Sequence, residues 1–550
     1  MQLFPDILAR RAADDPDRIA YIFLDDNGAE HTTTTYRELH EQATAVAGLL
    51  RARCEPGERA LLVFPQCVEF ITAYFGCLYA NIIAVPVNPP RRGKVQDATR
   101  AIVADCAPTA VLTIGGLLEP LRSVLEPLCT ARQWLAVDEL ATADASFTPS
   151  VADPDSVAFL QYTSGSTAAP KGVMVTHRNL VANEEMIRHS FGHDRESTVV
   201  GWAPFFHDQG LIGNVLQPVY VGATCIQMSP STFIRRPLRW LEAISRYRAH
   251  TSGGPNFAFD ACVARAAAAG ELPDLDLSSW KVAFNGAEPI RAETLDRFAK
   301  TFAPLGFSDR SVFPCYGLAE ATLLVSASGK GRGPRLLDAD IDALADRRYV
   351  AAAVDRGRTL VGSGSVLPGE DLRIVDPDTG NLCPPDRAGE IWVAGDHVAQ
   401  GYWGLPAATA ETFHAADPAR TYLRTGDLGV VVDGELYVVG RLKDMIIIRG
   451  RNYYPHDIEH TVQQAHPALR PGSGAAFAVP GRDGEKLVVV QEIKRDADAD
   501  ADDITGAIRA AVLGEHELAV ADVVLAAPDT VRKTSSGKIM RAAARKRYLE

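Results

Sequence analysis

Over the first 140 residues, short apolar β-branched runs alternate with stretches rich in Ala, Leu and Arg. Residues 60–64 predict a buried strand, 68–80 a helix, and 82–87 a second strand that stops at Asn88-Pro89-Pro90. Residues 111–114 and 134–137 continue the pattern. Strand and helix alternating at this spacing imply βαβ units around a mainly parallel sheet. After Gly362 the texture changes. Residues 371–375, the turn Asp376-Pro-Asp-Thr-Gly380, residues 390–394 and, past Asp433-Gly434, residues 435–439 read as strands and turns of a β-rich subdomain, 362–439. Beyond Arg441 the pattern returns to α+β, with helices at 457–464 and 504–513 and strands at 487–493 and 522–526. The expected class is therefore α/β. A large N-terminal domain, 1–439, joins a small α+β domain, 444–550, through a boundary at 440–443.

Composition excludes several classes. The 550 residues carry a net charge of −13, so a mainly electrostatic nucleic-acid binder is disfavoured. The nine cysteines contain no CxxC pair, which removes zinc ribbons and thioredoxin-type redox motifs. Scattered thiols in a chain this long read as reduced and cytosolic. The first residues lack a basic stretch followed by an apolar one, so no signal peptide is expected. The most apolar region, 60–87, is broken by Pro65, Gln66, Glu69 and Asn81, which argues against integral membrane association.

The richest segment is 157–172, where an apolar strand runs into small residues and then Pro170-Lys171-Gly172. Small hydroxyl and glycine residues let backbone N–H groups converge on an anion. Taken alone, the segment reads equally as a phosphate loop or as a flexible surface turn. It is not a Walker A loop, because no helix opens on a Gly-Lys-Ser/Thr. Ser252-Gly-Gly-Pro-Asn256 is a second small-residue corner. Asn285-Gly-Ala-Glu288 follows a strand, where α/β sheets hold ligands. Tyr316-Gly-Leu-Ala-Glu-Ala-Thr322 offers an aromatic face for a base and, in Glu320, a carboxylate for a metal. Arg424-Thr-Gly-Asp427 sets a carboxylate in a tight turn, able to accept both hydroxyls of a ribose, and Arg441 and Lys443 follow after a hairpin. Lys533-Thr-Ser-Ser-Gly-Lys-Ile-Met-Arg541 reads as a basic tail or as a loop that delivers Lys538 to a phosphate.

Other patterns carry less. His456-Asp-Ile-Glu-His460 spells the inverted zinc-protease motif, but Pro455 makes it the first turn of a helix. No G-x-S-x-G supports a serine hydrolase, and 362–369 lacks the third glycine of a dinucleotide loop. His207, in Gly201-Trp-Ala-Pro-Phe-Phe-His-Asp-Gln-Gly210, is either a core histidine or a gate to the substrate.

In order along the chain, YTSGSTAAPKG, YGLAEAT, RTGDLG, GRLKDMIIIRG and KTSSGKIMR resemble the phosphate loop, adenine and metal segment, ribose turn, hinge and catalytic loop of the adenylate-forming superfamily. That superfamily comprises acyl-CoA synthetases, peptide-synthetase adenylation domains and luciferases. The pattern departs from it at Ala168 and Ala319. Segments 202–211, 236–248 and 449–459 resemble the fatty acyl-AMP ligases within it. Residues 326–358, in the 44-residue gap from Glu320 to Gly364, resemble the insertion that distinguishes those ligases, although a tolerated surface loop would look the same.

The resemblance implies ATP-dependent activation of a fatty acid to acyl-AMP, then transfer to the phosphopantetheine of a holo acyl carrier protein. It implies ATP and Mg²⁺ and no prosthetic group. Lys538 would bridge the two reacting anions. Glu320 and Thr163 would hold the metal, with Ser164, Gly165, Ser166, Thr167 and Lys171 on the phosphates. Asn285, Gly286, Ala287, Glu288, Tyr316 and Gly317 would surround adenine. Asp427 and Arg441 would take the ribose. His207, Ile212, Gly253 and Gly254 would line the acyl path, and Lys443 would be the pivot of a mobile C-terminal domain. The rival readings are an acyl-CoA synthetase and, from another class, a non-catalytic acyl- or nucleotide-binding protein.

Overall fold

The structure, a computed structural model, describes residues 1–90, 95–140, 152–163, 170–270, 272–352, 357–417, 420–449, 451–481, 484–495, 499–534 and 537–550. Two large sheets organise the first 360 residues. One has six strands, five of them parallel: Gln133–Ala136, Ala110–Thr113, Arg59–Leu62, Ile83–Pro86 and Val157–Thr163. Lys171–Thr176 closes its edge antiparallel to Val157–Thr163. The other has nine strands. Its centre is parallel, running Val312–Gly317, Val282–Asn285, Thr251–Gly253, Val199–Gly201, Cys225–Gln227 and Ile19–Leu24. The predicted strands at 60–64, 82–87, 111–114 and 134–137 thus exist, each shifted by a residue or two.

The helix Val68–Ala80 has the bounds the sequence predicts, and every residue but Glu69 is buried. A helix apolar all round must be covered on all sides. Here its side chains share one core with residues of both sheets, including Ala60, Phe159, Val199 and Phe313. Its neighbour Tyr36–Arg51 approaches so closely that a Cβ on Gly76 would lie 2.5 Å from Val46 Cγ1.

Asp371–Val375, Gly389–Ala394, Phe413–Asp417, Arg420–Val432 and Glu435–Arg441 form an antiparallel five-stranded sheet. The last 100 residues pack helices Pro455–Gln464 and Ala501–His516 on a three-stranded sheet, Leu469–Gly481, Gly484–Ile493 and Val520–Ala526, with a separate apolar core around Ile458, Leu487 and Ile508.

Within 326–358 the local pattern and the fold diverge twice. The helical spacing of Leu336, Ile341 and Leu344 gives a helix only at Ile341–Ala345, capped by Asp340. Leu336–Asp340 is a strand, because Gly357–Val361 pairs with it antiparallel, and long-range pairing overrides local periodicity. The apolar run from residue 349, which could form a strand, makes one bridge, Ala351 to Ala339, and residues 353–356 lie outside the described residues. Among the described residues no helix is long and apolar enough to cross a membrane.

Gly76→Ala inserts a methyl where Val46 already stands and should cost about 1–3 kcal/mol. Calorimetry should show a lower unfolding midpoint, and an unchanged midpoint would contradict this packing.

Candidate active site

Thr163, Gly253, Asn285 and Gly317 end parallel strands, and the candidate residues fall into three groups. The first is built on a hairpin. Thr163 and Lys171 are cross-strand partners at its mouth. The tip between them, with Ser164, Gly165, Ser166 and Thr167, lies outside the described residues. Tyr402 reaches this mouth because its segment pairs with the second strand: it bridges Val173, and Trp403 N–H donates to Gly172 O at 2.8 Å. Its hydroxyl donates to Glu320 Oε1 at 2.9 Å, and Lys171 Nζ stands 4.5 Å over its ring. Glu320 is held at its backbone too, its carbonyl accepting from Ala399 N–H at 3.0 Å. One turn on, Thr322 keeps φ at +68°, and its hydroxyl donates to His397 O at 2.6 Å. Carboxylate and hydroxyl oxygens are the hard donors that Mg²⁺ takes, and one or two carboxylates beside substrate phosphates are its usual protein share. Glu320 and Thr163 fit that requirement.

The second group is a line of three. Asp427 faces Arg441 across the Arg420–Val432 and Glu435–Arg441 strands. Arg441 Nε donates to Asp427 Oδ1 at 3.0 Å, and the Tyr316 hydroxyl donates to Oδ2 at 2.8 Å. The adjacent Asp427 charge raises the Arg441 guanidinium further, and burial, then Asp427, raises the Tyr316 phenol. The expected tight turn at 424–427 is a bulge inside one long strand, with Gly426 at φ +72°. Glu390 secures it, accepting from Trp392 Nε1 at 2.8 Å, Arg424 Nε at 3.0 Å and Gly426 N–H at 3.2 Å. Gly317 sits where a Cβ would meet Leu323 O at 1.7 Å, so this approach admits only glycine.

The third group meets the small domain. Lys538 lies in a loop closed on itself: its N–H donates to Thr534 Oγ1 at 3.1 Å, and Thr534 N–H donates to Lys538 O at 2.8 Å. Gly537 lies against Phe257 of the large domain, a Cβ there falling 3.5 Å from the ring. Asp208 and Glu288 both feel the Lys538 charge. Burial pushes Asp208 up, but His207, the Gln209 N–H and Lys538 together hold it below the ordinary range. Glu288 stays raised by burial, although Arg291, Asn256 and Lys538 oppose this. Its Oε1 accepts from Asn256 N–H at 2.9 Å, at the start of the Asn256–Ala269 helix. Asn285 Nδ2 donates to Gly254 O at 3.2 Å, and Ala287 has φ +70° beside Gly286.

The acyl-path candidates separate. His207 stands beside Asp208, with Nδ1 3.6 Å from Oδ1, and Gln161 of the phosphate hairpin holds its loop by donating to Phe206 O at 2.9 Å. Ile212 is fully buried in the core, within the π-helix Gln209–Leu216. Gly253 and Gly254 are glycine for packing: a Cβ would lie 2.1 Å from Phe284 O in one case and 2.6 Å from the Trp202 ring in the other. Lys443 is exposed in the short turn Leu442–Asp444.

The zinc-like motif makes no metal site. His456 Nε2 accepts from Arg358 Nη2 at 2.6 Å, Glu459 is held by Arg541 through two bonds of 2.7 Å, and His460 bonds Gln463 and Gln464. Among the described residues no three His, Cys, Asp or Glu side chains gather as metal ligands.

This geometry has counterparts. A family model described as AMP-binding enzyme matches residues 8–403, and one described as the AMP domain of disco-interacting protein 2-like proteins matches 443–550. The chain is 43% identical over 561 residues to the medium-chain-fatty-acid–[acyl-carrier-protein] ligase JamA of Moorena producens, covering 99% of this chain and 95% of that protein. The chain belongs to the adenylate-forming AMP-binding enzymes, among the fatty acyl-AMP ligases. Another such ligase, the long-chain-fatty-acid–AMP ligase FadD32 of Mycolicibacterium smegmatis, is 37% identical over 582 residues, covering 97% and 92%. A solved structure of a fatty acyl-adenylate ligase, from work on the E. coli and L. pneumophila enzymes, superposes with TM-score 0.89 at 33% identity, covering 100% of this chain and 97% of that one.

The Asp427 line generates a test. Bonds to a charged group are worth about 1.5–3 kcal/mol, so Asp427→Ala should weaken ATP and acyl-AMP binding by about tenfold or more. Unchanged nucleotide affinity in titration calorimetry would refute the ribose role.

Proposed function

We propose that this fatty acyl-AMP ligase activates a fatty acid with ATP and passes the acyl group to the phosphopantetheine thiol of a holo acyl carrier protein. In the first step a fatty-acid carboxylate oxygen attacks the α-phosphorus and pyrophosphate leaves. In the second a thiolate attacks the acyl carbonyl and AMP leaves. The nine free cysteine thiols suit a reducing compartment such as the cytosol.

The observation that carries the reading is the position of Lys538. An anion must attack an anion, so cationic charge is needed where the two meet. Lys538 comes within the electrostatic reach of Asp208 and Glu288, and Gly537 beside it lies against Phe257, which supports a cation brought to this end of the large domain. Asp427 and Arg441 take the ribose, Tyr316 offers its ring to adenine, and Asn285 to Glu288 form the rim beside it. Lys171, with the hairpin tip from Ser164 to Thr167, receives the phosphates. Glu320 and Thr163 would hold Mg²⁺, which when bound would supply positive charge beside the pyrophosphate. His207 guards the acyl side.

The 326–358 insertion bears on the choice of acceptor. Arg451 pairs with Asp342, Asn452 Nδ2 donates to Ala345 O at 2.7 Å, and Arg358 pairs with Asp457 at 3.2 Å. These contacts hold residues 451–457 of the small domain against the large one. A thiol acceptor that needs the rotated orientation, with Lys443 as pivot, then meets a sparse population. This favours a carrier protein, delivered with binding energy of its own, over free CoA.

Lys538→Ala should cut pyrophosphate release by about a hundredfold to a thousandfold while ATP still binds. Near-normal pyrophosphate release from the variant would remove Lys538 from the mechanism.

A further inference from the structure

One segment of the sequence remains without a task. Between Arg235 and Arg248 the chain places five arginines against the single carboxylate of Glu242, in a protein of net charge −13. The segment spans the end of the helix Pro230–Arg235 and the helix Leu238–Arg246. We propose that Ile234, Arg235 and Arg236 form the docking surface for an acidic face of the carrier protein that receives the acyl group, a proposal that rests on the acyl-transfer reading above.

Position is the first support. Phe233, fully buried, stacks on Trp202 at 4.1 Å, and both rings meet Phe257, at 6.2 and 5.9 Å. Phe257 in turn lies against Gly537, the residue before Lys538. The surface thus begins one aromatic layer from the loop that closes the site.

Composition is the second. Turning Phe233 inward leaves Ile234 outward, 63% exposed. Arg235 pairs with Asp26 at 2.6 Å, Arg239 with Glu242 at 2.5 Å and Arg246 with Glu30 at 3.2 Å. Arg236 is different: its Nη1 donates to neutral oxygens, Asp26 O at 3.3 Å and Asn27 Oδ1 at 3.2 Å. A positive charge therefore remains beside an exposed apolar side chain. A strongly acidic enzyme repels an acidic partner in general, so productive approach needs a locally positive landing point. An apolar centre with a charged rim is the usual anatomy of a protein interface.

The experiment compares wild type, Arg235→Glu/Arg236→Glu, Ile234→Ser and, as a charge control outside this segment, the exposed Arg53→Glu. The acceptor is the holo acyl carrier protein that the wild type acylates fastest, with free pantetheine in parallel. The double variant should raise the KM for carrier by about tenfold to a hundredfold at low salt, and the gap should narrow as salt rises. Ile234→Ser should raise it at every salt concentration. Pyrophosphate release and acylation of pantetheine should stay at wild-type rates, as should every property of Arg53→Glu. Unchanged carrier KM in both surface variants overturns the docking surface while leaving the transfer reading intact. A wild type that makes acyl-AMP but acylates no holo carrier overturns the transfer reading and this surface with it.

Discussion

Arg358 fastens the small domain to the large one, and the proposed chemistry depends on that fastening. Its guanidinium donates to Val439 O at 3.1 Å, just before the 440–443 boundary, and to His456 Nε2 at 2.6 Å beyond it. It also pairs with Asp457 and lies 5.1 Å over the Tyr454 ring. Burial, then the charge of Arg358, holds His456 well below the ordinary imidazole range, so it stays neutral and can accept. One side chain thus grips both sides of the boundary at 440–443. Loosening it removes one of the ties that hold the two sides together, the others being Arg451 to Asp342 and Asn452 to Ala345.

The rest of the site is an exercise in holding like charges close. Asp427, Glu390, Glu320, Asp208 and Glu288 are the carboxylates of the candidate site, and the ligands proposed for it, a nucleoside triphosphate and a fatty acid, are anions too. Each carboxylate is tied by donors: Arg441 and Tyr316 on Asp427, Arg424 and Trp392 on Glu390, Tyr402 on Glu320. Fixed donors spare these groups from reorganising during reaction, which is how preorganised sites lower barriers. They also keep the carboxylates oriented so that lone pairs not used within the protein can face ribose hydroxyls or a metal.

Much of this was legible in the sequence, for a physical reason. Strand and helix periods are local properties, so the parallel strands and the helix at Val68–Ala80 were readable from residue order. The hairpin between Asp427 and Arg441 was readable too, from the Asp433-Gly434 turn, although that the two residues face each other across it is seen only in the fold. What escaped depends on distant pairing. The bulge at Gly426 follows from register with Gly389–Ala394, and the strand at Leu336–Asp340 exists because Gly357–Val361 pairs with it. Tyr402 sits between glycine and tryptophan with no charge to draw notice, and only its pairing with Val173 brings it to Glu320. Arg358 reads as an ordinary arginine until folding places the hinge and the Pro455–Gln464 helix beside it.

The most direct test asks whether that grip selects the acceptor. Wild type and Arg358→Ala would each receive ATP, one fatty acid, CoA and holo carrier protein together, with acyl-AMP, acyl-CoA and acyl-carrier quantified by mass spectrometry. The account predicts acyl-AMP and acyl-carrier with little acyl-CoA from the wild type, and a higher ratio of acyl-CoA to acyl-AMP from Arg358→Ala. Efficient acyl-CoA synthesis by the wild type, or an identical ratio in the two proteins, would contradict it.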